Sequence, residues 1–244
     1  MRTLLLDIET APHRAYVWGL WGQNINTVNI VEHGYTLCFA AKWLGERELI
    51  FDSIHQSKPD AMIRKVHGLL NEADAVCHYN GRKFDIPTLQ GEFVRRNMKP
   101  PAPFKHIDLL VTCRRQFRFA SNKLDYVSKL LGLGQKTQHK GMPLWHVCMA
   151  GDDAAWKVME RYNKQDIRLL ERLYKQLLPW IPNHPNVSAH SGIEECPKCE
   201  GTRFQRRGWA ISQTRRYPRF QCMDCGTWLQ GTKCEPGHAQ LKAS

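Results

Sequence analysis

The chain has 244 residues, of which 42% are hydrophobic and 24% are charged, a composition typical of a protein that folds around a core and not of a disordered chain. No apolar run approaches the roughly 20 residues that span a bilayer, and acidic residues follow the N-terminus too closely for a signal peptide, so we expect a soluble, cytoplasmic protein with no membrane partner. The formal net charge of +12 favours polyanions such as nucleic acid as partners, although a basic surface that only maintains solubility would have the same charge.

Apolar periodicity over the first 180 residues predicts strands that alternate with helices. Three strands in series, followed by alternating helices and strands, indicate an α/β domain with a mixed five-stranded sheet flanked by helices. The predicted strands are 3–8, 35–44, 48–54, 75–79 and 107–111, and the predicted helices are 59–71, 86–97, 124–131 and 153–178.

The composition changes near residue 180. Residues 1–180 form the predicted α/β domain, and a Pro-rich stretch over 181–193 reads as a stiff linker. Residues 194–244 are rich in Cys and Arg and poor in aliphatic side chains, which predicts a small second module.

The first predicted strand ends in two carboxylates, Asp7 and Glu9. Residues two apart on a strand face the same side, so these side chains converge while Ile8 packs into the core. Adjacent carboxylates repel each other, and a bound divalent cation would remove that repulsion. The pair alone is common by chance, so it predicts a metal site only together with further ligands.

A second group of candidates follows the strand over 75–79, where Gly81 breaks the chain before a new helix. Asn80, Phe84 and Asp85 lie in this connection. Taken alone, the segment is explained better by Asp85 as a simple N-cap and Asn80-Gly81 as a plain turn, so it indicates no site by itself.

The long predicted helix carries Tyr162 and Asp166, which are four residues apart and share a face. That face continues into core-type residues, and an aspartate facing a core needs a partner. A metal held jointly with the carboxylates of the first strand would be one. The alternative is an exposed Asp166 at the edge of the stripe, paired with Arg161 or Lys164.

Together, the order and spacing of the three motifs resemble the DEDD 3′–5′ exonucleases of the ribonuclease H-like superfamily, the class of DnaQ-like proofreading domains, over about residues 3–178. The histidine subtype has His five residues before its last Asp, where this chain has Arg161. Tyr162, four residues before Asp166, is typical of the DEDDy subtype found in family A and family B polymerases. The second motif is most similar to the family B form.

The resemblance implies a metal-dependent 3′–5′ exonuclease that hydrolyses phosphodiester bonds with two Mg²⁺ or Mn²⁺ ions, single-stranded DNA ends being the favoured substrate. Asp7 would bridge both ions, and Asp85 would support the second through water. Glu9 and Asp166 would complete the site of the ion that generates the attacking hydroxide. Tyr162 would orient the attacking water, because a phenol with a pKa of about 10 is a poor base at neutral pH.

Four further residues are candidates for substrate contacts. The resemblance assigns Asn80 and Phe84 to this role. Trp18 and Trp21 belong to a long segment, 11–34, that departs from the family pattern. They are either a stacking element for a terminal base or part of a packed loop.

The segment 132–137 contains two glycines and Lys136, in a pattern similar to a P-loop. Gln135 interrupts the direct Gly-Lys-Thr succession that the P-loop requires, so that interpretation is rejected. A glycine turn at the C-terminus of the preceding helix explains the segment, and no functional role is predicted for it.

Two Cys-x-x-Cys pairs with 22 residues between them predict a zinc ribbon with one structural Zn²⁺. The odd total of nine cysteines argues against disulfides. Cys234 and His238 are spare, either as bystanders or as part of a second, incomplete site. The predicted ligands are Cys196, Cys199, Cys222 and Cys225.

Six arginines and several aromatic residues lie between the two pairs, and residues 202–221 contain no acidic side chain. Arginine side chains beside aromatic rings can bind phosphates and bases, which predicts that the second module, residues 194–244, binds nucleic acid. The alternative is a small aromatic core with arginines that are merely solvated. The candidate contacts are Arg206, Arg207, Arg215 and Arg216.

DNA is expected as partner ahead of RNA. Because the remaining residues are too few for a polymerase, proofreading would require a polymerase or a replication or repair protein in trans. Two other functions stay open: an RNA-directed or structure-selective nuclease on the same fold, and an inactive nucleic-acid-binding adaptor that uses the ribbon.

Overall fold

The computed structural model describes residues 1–138, 141–189 and 193–234. The chain divides into two compact units, Arg2–Tyr174 and a unit that begins at Lys175. The domain bounds predicted from the sequence, with a linker over 181–193, stay a prediction. Within the described ranges, no helix combines the length and the apolar character that crossing a membrane requires.

The first unit contains seven strands and six helices among its described residues. The strands are β1 (Thr3–Thr10), β2 (Arg14–Ala15), β3 (Ile30–Glu32), β4 (Thr36–Trp43), β5 (Ile50–Ser53), β6 (Ala75–His78) and β7 (Lys105–Asp108). The helices are α1 (Pro59–Glu72), α2 (Asp85–Arg95), α3 (Leu109–Gln116), α4 (Leu124–Leu130), α5 (Met142–Met149) and α6 (Asp153–Leu177), the last of which runs on into the second unit.

Five of these strands form one mixed sheet in the order β5-β4-β1-β6-β7. β4 is antiparallel to both β1 and β5, while β6 is parallel to β1 and to β7. The prediction of an α/β domain with a mixed five-stranded sheet and flanking helices is therefore confirmed. β2 and β3 pair separately in the long segment between β1 and β4.

The alternation of β1 explains which side of the sheet receives the carboxylates. Leu4, Leu6 and Ile8 point to one face, where they share a buried cluster with residues of α1 and α2. Asp7 and Glu9 must point to the other face, since the side-chain period of a strand is two. On that face, residues of α5 and α6 pack against β4.

Two parts of the predicted secondary structure are wrong. The strand predicted over 107–111 ends at Asp108, whose carboxylate accepts the backbone N–H groups of Leu110 and Val111 and so starts α3. A short apolar run does not distinguish a strand from a buried helix, and the capping aspartate decides here for the helix. The helix α5 was also missed, although Pro143 in its first turn is typical of a helix start.

The second unit contains a three-stranded antiparallel sheet of β8 (Phe204–Ile211), β9 (Arg216–Cys222) and β10 (Trp228–Gln230), in the order β10-β9-β8. Hydrogen bonds from Lys198 hold the segment that precedes this sheet. The Lys198 ammonium donates to the backbone carbonyls of Leu178, Pro179 and Ile181 at 3.2, 3.1 and 2.8 Å, and Ile181 is 4% exposed.

Candidate active site

The structure brings together three of the predicted carboxylates, Asp7 and Glu9 from β1 and Asp166 from α6. One oxygen of each lies within 4.8 Å of the others. Asp166 is only 2% exposed, so it is not the edge residue of the alternative interpretation. We call these three residues the acidic triad.

The triad is electrostatically unfavourable on its own. Burial first, and then the charge of Glu9, raise the pKa of Asp7 well above its usual value. Burial and the Asp166 charge raise the pKa of Glu9 to about 8. Buried carboxylates this close together are ionised at the same time only with positive charge beside them, and hard carboxylate oxygens suit Mg²⁺ or Mn²⁺. The donor set therefore fits a divalent metal.

Lys136 is a candidate functional residue that sequence reasoning missed. Its ammonium lies 2.5 Å from Asp166 Oδ2 and 3.2 Å from the Tyr162 hydroxyl. Burial lowers the pKa of Lys136, but the opposing effects, of which the charge of Asp166 is the largest, outweigh this, and the pKa stays above its usual range. Of the two partners that sequence reasoning offered for Asp166, Arg161 and Lys164, the lysine instead pairs with Glu160 at 2.5 Å.

The glycine turn after α4 carries Lys136 to the triad. Gly132 adopts the left-handed conformation, with φ of +69°, that commonly ends a helix, as the sequence interpretation required. The Asp125 carboxylate then accepts the backbone N–H of Lys136 at 2.9 Å. The sequence predicted this turn correctly, but the spacing of its glycines did not indicate that the side chain of Lys136 points to the triad.

Tyr162 lies beside the triad on α6 and is largely buried. Burial, followed by the Glu9 charge, raises its pKa above the ordinary value, so the hydroxyl stays protonated at neutral pH. A side-chain hydrogen bond with Tyr162 in turn lowers the pKa of Glu9. A phenol in this state is suited to hydrogen bonding and not to accepting a proton as a base.

Asn163 is a second residue that was not predicted. Its side-chain amide donates to Asp7 Oδ2 at 2.6 Å, and the side chain is fully buried. This contact orients the Asp7 carboxylate from α6. Its position between Tyr162 and Asp166 was the only available signal, and it was not distinctive.

Asp85 stands outside the 4.8 Å group but contacts the same strand, since the backbone N–H of Ile8 donates to its carboxylate at 3.1 Å. Burial raises its pKa to about 6, against the lowering effect of the charge of His78. Asp85 is the first residue of α2, and Phe84 occupies the N-cap position without a side-chain cap. The simple N-cap interpretation of Asp85 is therefore wrong.

The turn before α2 is tightly constrained. Asn80 has a φ of +69°, and its backbone N–H donates to Asp108 at 3.0 Å. A Cβ on Gly81 would lie 2.6 Å from Cγ of the buried His78, so only glycine fits there. This geometry fixes the start of α2 and leaves the ring of Phe84 about half exposed. Substrate contacts by Asn80 and Phe84 stay predictions.

Trp18 and Trp21 lie in the segment between β2 and β3, and both indoles are almost fully exposed. The packed-loop alternative is therefore wrong for these two side chains. Their proposed role in stacking on a base stays a prediction.

The four predicted zinc cysteines converge. Their sulfur atoms lie within 4.8 Å of one another, with 3.7 Å between Cys196 and Cys225 and between Cys199 and Cys222. Tetrahedral Zn–S bonds of about 2.3 Å place sulfurs about 3.8 Å apart. The cluster is therefore compatible with zinc. Cys234 is exposed and outside the cluster, and His238 lies outside the described residues.

The arginines of the second unit occupy different surroundings. The guanidinium groups of Arg206 and Arg216 lie 4.6 and 4.5 Å from the ring centre of Trp209. Arg203 pairs with Asp224 at 2.5 Å, so this one of the six arginines has an acidic partner. Asp224 lies in the second cysteine pair, just beyond the interval without acids. Arg207 and Arg215 are exposed.

Residues 4–178 match the sequence model of the RNase_H superfamily. The structure is similar to that of the family B DNA polymerase from the hyperthermophilic archaeon Pyrobaculum calidifontis, with a TM-score of 0.54 and 18% identity. The match covers 73% of this chain and 24% of the polymerase, so this chain spans about a quarter of that protein and the likeness is one of fold. No curated protein sequence matches the chain.

Proposed function

The chain belongs to the RNase_H superfamily, which indicates a nuclease with a nucleic-acid substrate, and on this premise we propose that it is a metal-dependent 3′–5′ exonuclease of the DEDDy type. The observation that carries the proposal is the acidic triad, in which carboxylates from β1 and α6 lie within 4.8 Å of one another. Tyr162 beside the triad supports the DEDDy assignment.

Asp7, Glu9 and Asp166 would hold divalent ions, Mg²⁺ or Mn²⁺, with Asp85 as a supporting group. Bound metal supplies Lewis-acid activation of water and stabilises the leaving 3′ oxygen. The carboxylates must be ionised for this. In the metal-free protein the pKa of Glu9 is raised to about 8. Near neutral pH, a metal ion that binds there must therefore displace the proton of this carboxyl group.

Tyr162 and Lys136 would act directly on the reacting groups. A protonated phenol held between Glu9 and Lys136 can orient a water molecule for attack on the phosphate. The Lys136 ammonium adds positive charge where negative charge grows in the transition state. Asn163 would keep the Asp7 carboxylate in position through its amide.

The preferred substrate and the role of the second unit are proposed on separate observations. The exposed indoles of Trp18 and Trp21 suit stacking on unpaired bases, which favours single-stranded 3′ ends, and we propose DNA ahead of RNA. The cysteine cluster would hold one structural Zn²⁺, and the stacked arginines of the second unit would bind phosphates. A polymerase, or a replication or repair protein, would be the partner in trans.

The test is a time course on single-stranded DNA and RNA oligonucleotides labelled at the 5′ end. We expect a ladder that shortens one nucleotide at a time from the 3′ end, only with Mg²⁺ or Mn²⁺, and faster on DNA. Faster cleavage of RNA, or cuts at a junction of a structured substrate, would favour the other nuclease functions. Binding without cleavage under all metal conditions would favour the inactive adaptor.

A further inference from the structure

A cleft of about 830 Å³ opens beside the acidic triad. Asp7, Tyr162 and Lys136 form one part of its wall, so the cleft belongs to the candidate active site. Another part of the wall carries Arg114, from α3, and Lys123, the residue before α4. Neither cation was singled out by the sequence motifs.

The two cations differ from the other charged groups of the wall. Lys136 pairs with Asp166, and Asp125 pairs with Lys129 at 2.7 Å. Within the described residues, no carboxylate lies within ion-pair distance of the side chain of Arg114 or Lys123. Cations without a counter-ion on a concave wall give a positive potential that attracts an anion.

The backbone around Lys123 is anchored. The Tyr79 hydroxyl, on the same wall, donates to the backbone carbonyl of Asn122 at 2.7 Å. Burial raises the pKa of Tyr79, and the charge of Arg114 opposes this, so the guanidinium acts on the same phenol. Tyr79 therefore connects the two cations: the charge of Arg114 acts on its phenol, and Lys123 directly follows the residue that accepts its hydrogen bond.

We propose that Arg114 and Lys123 form a binding subsite for a substrate phosphate adjacent to the scissile one. This inference rests on the proposed nuclease function. A nucleic-acid strand carries one negative charge for each nucleotide, so a strand whose scissile phosphate lies at the triad presents further phosphates along the cleft. An Arg and a Lys that have no ion-pair partner among the described residues match such a phosphate.

The test compares two substrates with the whole 244-residue chain. One is a single-stranded DNA oligonucleotide, and the other is the p-nitrophenyl ester of thymidine 5′-monophosphate, which has one phosphodiester and no flanking phosphate. Arg114→Ala and Lys123→Ala should each raise KM for the oligonucleotide about 10-fold, the effect of one lost charge-assisted contact, with kcat nearly unchanged. On the small ester, both variants should match the wild type.

Arg115→Ala is the matched control, because Arg115 is an exposed neighbour on α3 that does not line the cleft. A second measurement uses a labelled oligonucleotide with chelator present, so that no cleavage occurs. Each cleft variant should bind more weakly and lower the log–log salt slope by about 0.7, as expected for one phosphate contact on a single strand.

Three outcomes would overturn the inference: an unchanged KM for the oligonucleotide, an equal loss on both substrates, or an unchanged salt slope. Equal loss on both substrates would mean that the residues support the fold or the chemistry. If the wild type cleaves neither substrate, the proposed exonuclease function fails, a result separate from any effect of the cleft variants.

Discussion

The acidic triad and the cysteine cluster are both sets of candidate metal ligands, but they are assembled in different ways. Asp7 and Asp166 come from distant parts of the chain, and a sheet with a large core brings them together. The cysteines come as two local pairs. Among the described residues beyond Ile181, the buried apolar side chains are those of Cys196 and Cys222.

The two ways of assembling the ligands correspond to two roles for a metal, one in catalysis and one in folding. In the first unit a large core stabilises the fold, and the carboxylates of the triad repel one another, a repulsion that a bound cation would relieve. In the second unit there is little core, so metal–sulfur bonds would take its place. Removing the metal of the triad should therefore abolish cleavage by the first unit, and removing zinc should unfold the second unit.

The largest expected effect is on the triad. Asp7→Asn or Asp166→Ala should lower Mg²⁺-dependent cleavage roughly 1,000-fold or more, because water cannot replace the charge of a lost ligand. Single-turnover rates on a labelled oligonucleotide measure this. Glu160→Gln, on the same helix but paired with Lys164 away from the triad, is the control and should keep full activity.

Asp7→Asn also has a consequence for stability. Because folding raises the pKa of Asp7, the metal-free fold loses stability as the pH rises above the pKa of Asp7 in the unfolded chain. The variant should therefore melt at a higher temperature than the wild type at pH 7 with chelator present. A lower Tm together with wild-type cleavage would mean that Asp7 supports the fold and binds no metal.

Tyr162→Phe should lower turnover by roughly 10- to 1,000-fold and leave metal affinity largely intact, because one positioned hydroxyl is lost while the ring stays packed. Single-turnover kinetics and Mn²⁺ titration separate the two effects. Equal rates for variant and wild type would show that Tyr162 serves only in packing.

Cys222→Ser should release zinc, unfold β8 to β10 and raise KM about 10-fold, while kcat at saturating substrate changes little. Zinc content and limited proteolysis of the second unit report the loss of structure. Cys234→Ser is the control, because Cys234 is exposed and lies outside the cluster. A fully folded, zinc-free Cys222→Ser protein would refute the structural role of the metal.

The smallest expected effect comes from the surface arginines of the second unit. Replacing Arg206, Arg207, Arg215 and Arg216 together by Ala should raise KM several-fold and make its salt dependence shallower, by about 0.7 per phosphate contact, without releasing zinc. Arg203→Ala is the comparison, since Arg203 pairs with Asp224. An unchanged salt slope would indicate that these arginines are only solvated.

The features that could be predicted from the sequence have local physical causes. The alternation of β1 places Asp7 and Glu9 on one face, and the helical period places Tyr162 and Asp166 on one face of α6. The sheet and its flanking helices followed from apolar periodicity. Where the local signal was ambiguous, as at Asp108, the prediction of a strand was wrong because one capping carboxylate decided for a helix.

The remaining features depend on contacts between segments far apart in the chain. Lys136 follows an ordinary glycine turn, and only the packing of that turn beside α6 places its ammonium on Asp166. The same holds for the amide of Asn163 on Asp7, and for the convergence of Arg114 and Lys123 on one cleft. Sequence periodicity specifies which face a side chain occupies, but the tertiary structure decides which other charge it meets, because Coulomb energies depend on distance in space.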